Sequence, residues 1–229
     1  TDMDDRRNWW LLVTIRILQA LFMTKNMVHP DEYWQATQVA YNWVYGGVML
    51  PWEWDDQFRL RNALYPAYLA GPLYVLKQLG LDTPWLVRVQ PYLTHCPLVI
   101  LNDYFIWKIG KRIIGIDGSR IAMLLIVTNR CQNEYIIRCF TNGLEQIFSV
   151  IAFYFFLDQD HRFSLNTVIL PALISLAFMM RNTSPIGWIP LLAYKVLFNS
   201  SLFPFFVAGV LVALPILALC TYVDTVYYS

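Results

Sequence analysis

The sequence predicts an all-α, polytopic helical membrane protein forming one domain, on three observations. Of its 229 residues, 57% are hydrophobic and 16% aromatic, whereas 14% are charged, against about 25% in ordinary soluble domains. Mean hydropathy is +0.42, and a soluble fold of this length has too little interior to hide so much apolar side chain. The apolar residues also gather into about eight stretches of near-spanning length, with no internal repeat and no Pro/Gly/Ser linker between them. These features exclude a soluble globular enzyme and a disordered chain. The 17 Lys and Arg nearly balance the 16 Asp and Glu, so no whole-molecule field steers a polyanion and a nucleic-acid partner is excluded.

Residues 9–27 form the first apolar stretch. Arg6 and Arg7 precede it and place the N-terminus in the cytoplasm by the positive-inside tendency. No signal-peptide cleavage pattern follows it. The next segment, residues 29–61, is too polar to span and falls on the lumenal side. Asp31, Glu32, Glu53, Asp55 and Asp56 alternate there with Trp34, Trp43, Trp52 and Trp54, a mixture suited to helices lying at the membrane interface.

Residues 63–79 are apolar but interrupted by Pro66, Gly71 and Pro72, so this stretch is kinked or only partly spanning. Residues 85–107 are long enough to span. Their Arg88, Gln90, His95 and Asp103 are expected to face a protein interior rather than lipid. Residues 113–128 follow the basic cluster Lys108, Lys111 and Arg112. Strict alternation of crossings would put that cluster in the lumen, against the charge rule, so either 63–79 does not cross or the rule fails locally. The stretches 140–157, 165–180, 186–198 and 202–223 complete the series.

The segment His29-Pro30-Asp31-Glu32-Tyr33-Trp34-Gln35 directly follows the first apolar stretch. Adjacent carboxylates at the mouth of a membrane bundle are costly to bury without purpose. Pro30 suits the first helical position, which would put Asp31 in a helix first turn, where the helix dipole favours a carboxylate. Neighbouring side chains diverge on helix or strand, so one carboxylate is read as a general base and the other as a brace. The competing reading is that the segment simply caps an interfacial helix. A second cluster, residues 51–66, joins carboxylates and two indoles to Arg59 and Arg61, which could hold a phosphate bidentately or merely snorkel at an aromatic belt. In a third, the spacing of Arg138, Asn142 and Glu145 suggests one helical face, either lining a cavity or forming an internal ion-pair network. Arg130, Glu134, Arg181 and Asn182 sit near other helix ends.

Other signals are weaker. Cys96, Cys131, Cys139 and Cys220 lack metal or disulfide spacing and read as small apolar fillers. His95 reads as a hydrogen-bonded core residue, and His161, with Asp158, Asp160 and Arg162, as a solvated turn. Asn182 and Asn199 open glycosylation sequons that hug apolar stretches, where the modifying enzyme has poor access.

The segment 29–35, followed by Pro51-Trp52-Glu53-Trp54 and then Arg59-x-Arg61 before Tyr65-Pro66, resembles the lumenal signature of the dolichyl-phosphate-mannose-dependent GPI mannosyltransferases. These are glycosyltransferases of family 22, in the GT-C superfamily, and the similarity is nearest to the branch that adds the third mannose. Residues 137–156, 180–192 and 223–228 resemble further family segments in the same order. Asn182 stands where the family usually has proline, and the Pro-led Trp-Glu-Trp form differs from the threonine-led one.

The resemblance implies a multi-pass enzyme of the endoplasmic reticulum membrane with a lumenal active site. Its donor would be dolichyl-phosphate-mannose, its acceptor a mannosylated GPI precursor glycolipid, and its new bond α-1,2. The donor is β-linked, so a single inverting displacement with one base suffices, without metal or cofactor. Membrane lipid is the surrounding partner; protein partners are not indicated. On this resemblance Asp31 is the first candidate base and Glu32 a supporting or alternate one. Arg61, Arg138 and Arg181 are candidates for the donor phosphate. His29, Gln35, Trp52, Glu53, Trp54, Asn142 and Glu145 would shape the substrate site. Another family member, adding the fourth GPI mannose or building the lipid-linked oligosaccharide, and a non-catalytic membrane subunit are the alternatives. A transporter would need an inverted repeat. The family continues beyond the equivalent of Ser229, so the chain is expected to be an N-terminal portion.

Overall fold

The computed structural model describes residues 2–22, 28–55, 57–157, 165–198 and 202–228, without the side chains of 2–8, 165, 166, 196, 198, 202–206 and 208. The Arg6 and Arg7 side chains, residues 23–27 of the first apolar stretch, Asp56, the 158–162 turn with His161, and the Asn199 sequon lie outside the described residues. The fold is all-α, with no strand among the described residues. Among the described residues nine α-helices run in order: α1 Asp2–Phe22, α2 Gln38–Tyr45, α3 Leu64–Gln78, α4 Pro84–Thr128, α5 Arg130–Ile136, α6 Thr141–Phe156, α7 Leu165–Met180, α8 Ser184–Phe198 and α9 Leu202–Tyr227. A π turn, Tyr33–Thr37, leads into α2, and a 3₁₀ turn, Trp52–Trp54, precedes α3.

In its described residues each of the eight apolar stretches is largely helical, but by length and composition only Gly209–Tyr227 of α9 qualifies alone as a membrane span among the described residues. The pair Arg130–Ile136 and Thr141–Phe156 qualifies together as a broken one. Among the other runs, α3, α7 and α8 fall short by length, at 15, 16 and 15 residues, and α4 is broken at Gly115.

The chain divides into two compact units, Thr1–Gly143 and Leu144–Ser229. In the first, α1 packs on α4, α2 on α3 and α3 on α4. Thr83 caps α4 by accepting the Leu86 N–H at 3.4 Å, with Pro84 next to it. At Gly115, φ is 78° and ψ −177°, and the helix breaks. A Cβ added to Gly110 would lie 3.2 Å from the Ser119 Cα; in a straight helix nine residues span about 13 Å. The chain therefore doubles back at Gly115, and α4 is a hairpin whose tip carries Lys111 and Arg112. Glycine suits both places, because the tip needs a positive φ and the arms a close approach.

Alongside α4, α3 runs antiparallel over its first arm. The Tyr65 hydroxyl lies 3.0 Å from His95 Nδ1, Tyr68 donates to the Thr94 carbonyl at 2.7 Å, and Gln90 donates to the Leu69 carbonyl at 3.4 Å. Farther along α3, Lys77 returns to the Val44 carbonyl at the end of α2, at 2.5 Å. Thus α3 starts at the level of His95 and ends near the beginning of α4. Gln90, His95 and Asp103 are buried as expected, but Arg88 is exposed, one turn from the start of α4. Cys96, Cys139 and Cys220 are buried, whereas Cys131 is exposed on α5, so it fills no core.

The second unit is held by Ala152, Leu170 and Trp188, with Phe153, Phe156 and Leu191 packed around them. Phe156 meets Trp188 edge-on at 6.3 Å, and α7 packs along α9. Much of α9 faces outward, with Leu211, Leu214, Leu219 and Val226 more than half exposed.

Candidate active site

The two adjacent carboxylates occupy opposite environments. The chain enters helix at Asp31, directly after Pro30. His29 Nδ1 accepts the Asp31 N–H at 3.3 Å, so the cap is supplied by histidine and the Asp31 carboxylate is left for other work. Its Oδ2 accepts from Gln35 Nε2 at 3.1 Å, and its side chain is 42% exposed. The Glu32 carboxylate is fully buried. Arg138 Nη1 donates to its two oxygens at 2.8 and 2.7 Å, and the Tyr92 hydroxyl donates to Oε1. Its lone pairs are therefore engaged inside the first unit. The π turn that follows widens the backbone, and the Thr37 hydroxyl covers the Glu32 carbonyl at 3.1 Å. Such π turns recur at functional sites.

Gln35 has a double role. Its amide nitrogen holds Asp31, while its Oε1 accepts from the Thr141 N–H at 3.3 Å and the Thr141 hydroxyl at 2.7 Å. That bond satisfies an orphan donor at the start of α6. Here the structure corrects the expected face of Arg138, Asn142 and Glu145. The helix begins at Thr141, and Arg138 sits in the turn before it, so it shares no helical face with the other two. Tertiary partners explain the break: Glu32 draws in the guanidinium, and His95 Nε2 holds the Ile136 carbonyl at 3.1 Å. Because that nitrogen must donate to a carbonyl, His95 Nδ1 is the acceptor for Tyr65. Asn142 is exposed near the start of α6.

Glu53 and Arg61 form a two-pronged pair, Nε to Oε2 at 2.9 Å and Nη2 to Oε1 at 3.0 Å, both side chains about a quarter exposed. Between them Arg59 takes a φ of 46° and turns the chain back. Trp54 is buried and its Nε1 donates to the Trp34 carbonyl at 3.0 Å, which ties this loop to the Asp31 helix. Trp52 remains 60% exposed against Phe58. In the second unit, Arg181 pairs with Glu145 at 3.2 Å, with Arg181 42% exposed.

A residue passed over in the sequence anchors the first unit. Arg16, in the middle of α1, is fully buried. Its Nε meets Asp103 Oδ2 at 2.7 Å, and its Nη1 reaches Asn133 Oδ1 at 2.6 Å and Gln19 Oε1 at 2.8 Å. Asn133 in turn donates to the Val127 carbonyl at 2.5 Å. The available signal was one arginine amid an apolar run, matched by one aspartate in another. The pair joins α1, α4 and the start of α5, the helix that leads to Arg138.

The model of the Alg9-like mannosyltransferase family matches residues 8–229. Among curated proteins, the chain is 40% identical to GPI mannosyltransferase 3 of Trypanosoma brucei brucei over 129 residues, covering 55% of this chain and 23% of the relative. It is 28% identical to GPI mannosyltransferase 3 of Yarrowia lipolytica over 221 residues, 96% of this chain and 42% of the relative. It is 29% identical to GPI alpha-1,2-mannosyltransferase 3 of Homo sapiens over 180 residues, 79% of this chain and 32% of the relative. The chain thus matches less than half the length of each. No solved structure matches.

Proposed function

The chain belongs to the Alg9-like mannosyltransferase family, and from that premise we propose that it acts in GPI-anchor synthesis, transferring mannose from dolichyl-phosphate-mannose to a GPI precursor glycolipid in α-1,2 linkage. The observation that carries this reading is the division between Asp31 and Glu32. Asp31 is solvent-accessible and positioned by Gln35; it is the general base that takes the acceptor hydroxyl proton as that oxygen attacks C1. The lipid phosphate leaves from the opposite face, which inverts the β-linked donor to an α product. Glu32, buried against Arg138 and Tyr92, braces the loop and holds Arg138 in place.

Developing charge on the leaving phosphate requires fixed cations. Arg61 is partly exposed and already oriented by a carboxylate, which suits it to that role. The exposed Trp52 beside Phe58 offers a flat apolar wall for a sugar ring or an acyl chain.

The register of the helices supports a multi-pass arrangement in the endoplasmic reticulum membrane with this loop in the lumen. Trp9, near the start of α1, meets Tyr104 edge-on at 5.5 Å, so the chain start and the Lys108–Arg112 cluster lie toward one end of the α1/α4 pair. Tyr92, Glu32 and Arg138 lie toward the other. The pairing of α3 with the first part of α4 supports reading α3 as a helix that does not cross. With α3 dipping in and returning, the basic tip at Gly115 falls on the cytoplasmic side, as the charge rule requires.

Complementation of cells lacking the third GPI mannose tests the assignment, using the chain in its native polypeptide. Rescue by the wild type with failure of Asp31→Ala at equal expression is expected. Equal rescue by Asp31→Ala overturns the base assignment. Failure of the wild type to rescue overturns the acceptor.

A further inference from the structure

Asp31 reaches solvent, and an exposed carboxylate keeps one direction only where a neighbour holds it. Gln35, four positions on in the π turn, is that neighbour and is itself 5% exposed. Which end of an amide faces which partner is set by what surrounds it, and here Thr141 sets it. The Thr141 backbone N–H can only donate, and it lies 3.3 Å from Gln35 Oε1; the Thr141 hydroxyl donates to the same oxygen at 2.7 Å. With the carbonyl oxygen committed to Thr141, the amide nitrogen faces Asp31 and donates to Oδ2 at 3.1 Å. A reversed amide would set its N–H groups against the Thr141 N–H and its oxygen against the Asp31 carboxylate. Thr141 is 6% exposed, so water competes little for the contact. The turn that carries Thr141 is anchored independently. Glu32 and Gln35 reach across the same 106 positions, to Arg138 and Thr141, so the buried ion pair already fixes the turn, and His95 holds the Ile136 carbonyl beside it.

We propose that Thr141 and Gln35 are positioning residues for mannose transfer: Thr141 fixes the direction of the Gln35 amide, and the amide aims the Asp31 carboxylate at the acceptor hydroxyl. Both act through Asp31 and not on the reacting atoms, so the inference rests on Asp31 being the base. A displacement of a reacting group by about 1 Å can cost on the order of 10²-fold in rate. Loss of the contact behind the base is therefore felt in kcat, while the affinity for the donor stays as it was.

Kinetics of labelled mannose transfer from dolichyl-phosphate-mannose to a GPI precursor test this, in microsomes carrying the chain in its native polypeptide at matched amounts of folded protein. Thr141→Val keeps the shape and the N–H but removes the hydroxyl. It should lower kcat about tenfold or more, with KM for the donor within about twofold of wild type. Thr141→Ser, which restores the hydroxyl, should recover most of that loss. Gln35→Met should lower kcat at least as far, and adding Thr141→Val to it should cost nothing further. Thr141→Ala takes the place of Thr141→Val if that variant does not accumulate folded. Wild-type kcat in the Thr141 variant or in Gln35→Met overturns the proposal, as does an equal loss in Thr141→Ser or a loss confined to KM. A Thr141 effect that persists in full in the Gln35→Met background overturns it too. Asp31→Asn separates the two readings: at the wild-type rate it overturns the base assignment and this inference with it, whereas an inactive Asp31→Asn beside an unaltered Thr141→Val overturns this inference alone.

Discussion

Residue by residue, burial decides what each charge can do. Glu32 and Arg138 are both buried and in contact, and removing one partner of such a pair costs about 3–5 kcal/mol, because the other is left uncompensated. Glu32→Ala should therefore lower the melting temperature and the yield of folded chain, measured by size-exclusion fluorescence. Asp31→Asn, at a partly exposed position, should leave both unchanged. The Arg16–Asp103 pair is fully buried too, so Arg16→Ala should cost a similar amount, and the apolar double variant Arg16→Met/Asp103→Leu should recover most of it. A double variant no more stable than the single one would show that the pair does more than satisfy itself. The cysteines divide in the same way. Cys139 is fully buried between α5 and α6, while Cys131 is exposed. Maleimide labelling of folded chain should modify Cys131 and spare Cys139 from pH 7 to 9, with Cys139 reacting only after denaturation. The motif around Asp31 and Glu32 was legible because carboxylates beside an apolar stretch stand out. Which one is open was not, since that depends on Arg138, 106 positions away.

Among the elements, periodicity located the helices but not their breaks. The eight apolar stretches are largely helical in their described residues, yet residues 85–107 and 113–128 joined into one run folded at Gly115. Composition carries no record of a positive φ. Arg138 left the expected helix because His95, Gln35 and Glu32 hold the turn from outside it, and contacts of that range have no local signature. Residues 63–79 were ambiguous from their prolines; they form the helix α3, paired to α4 through Tyr65 and His95 and to α2 through Lys77 and Val44. In a Cys131→Ser background, a membrane-impermeant maleimide should label Lys111→Cys in sealed microsomes and Leu81→Cys only after permeabilisation. Labelling of Leu81→Cys in sealed vesicles would mean that α3 crosses.

For the molecule as a whole, motif order pointed to the family that the family model matches, while the network linking the first unit was nearly invisible beforehand. Arg16 sits in an apolar run where arginine looks like a snorkelling side chain, and its partners come from α4 and α5. What emerges in that unit is a buried ionic framework, Arg16–Asp103 toward one end and Glu32–Arg138 toward the other, that leaves one carboxylate of the adjacent pair open to solvent. The direct test is transfer of labelled mannose from dolichyl-phosphate-mannose to a GPI precursor in microsomes, comparing wild type, Asp31→Asn and Glu32→Gln at matched amounts of folded protein. Loss of a general base predicts a rate about 10²–10⁴-fold lower for Asp31→Asn, with folded Glu32→Gln retaining much more activity. Asp31→Asn at the wild-type rate, or a larger loss per folded molecule in Glu32→Gln, would contradict the account.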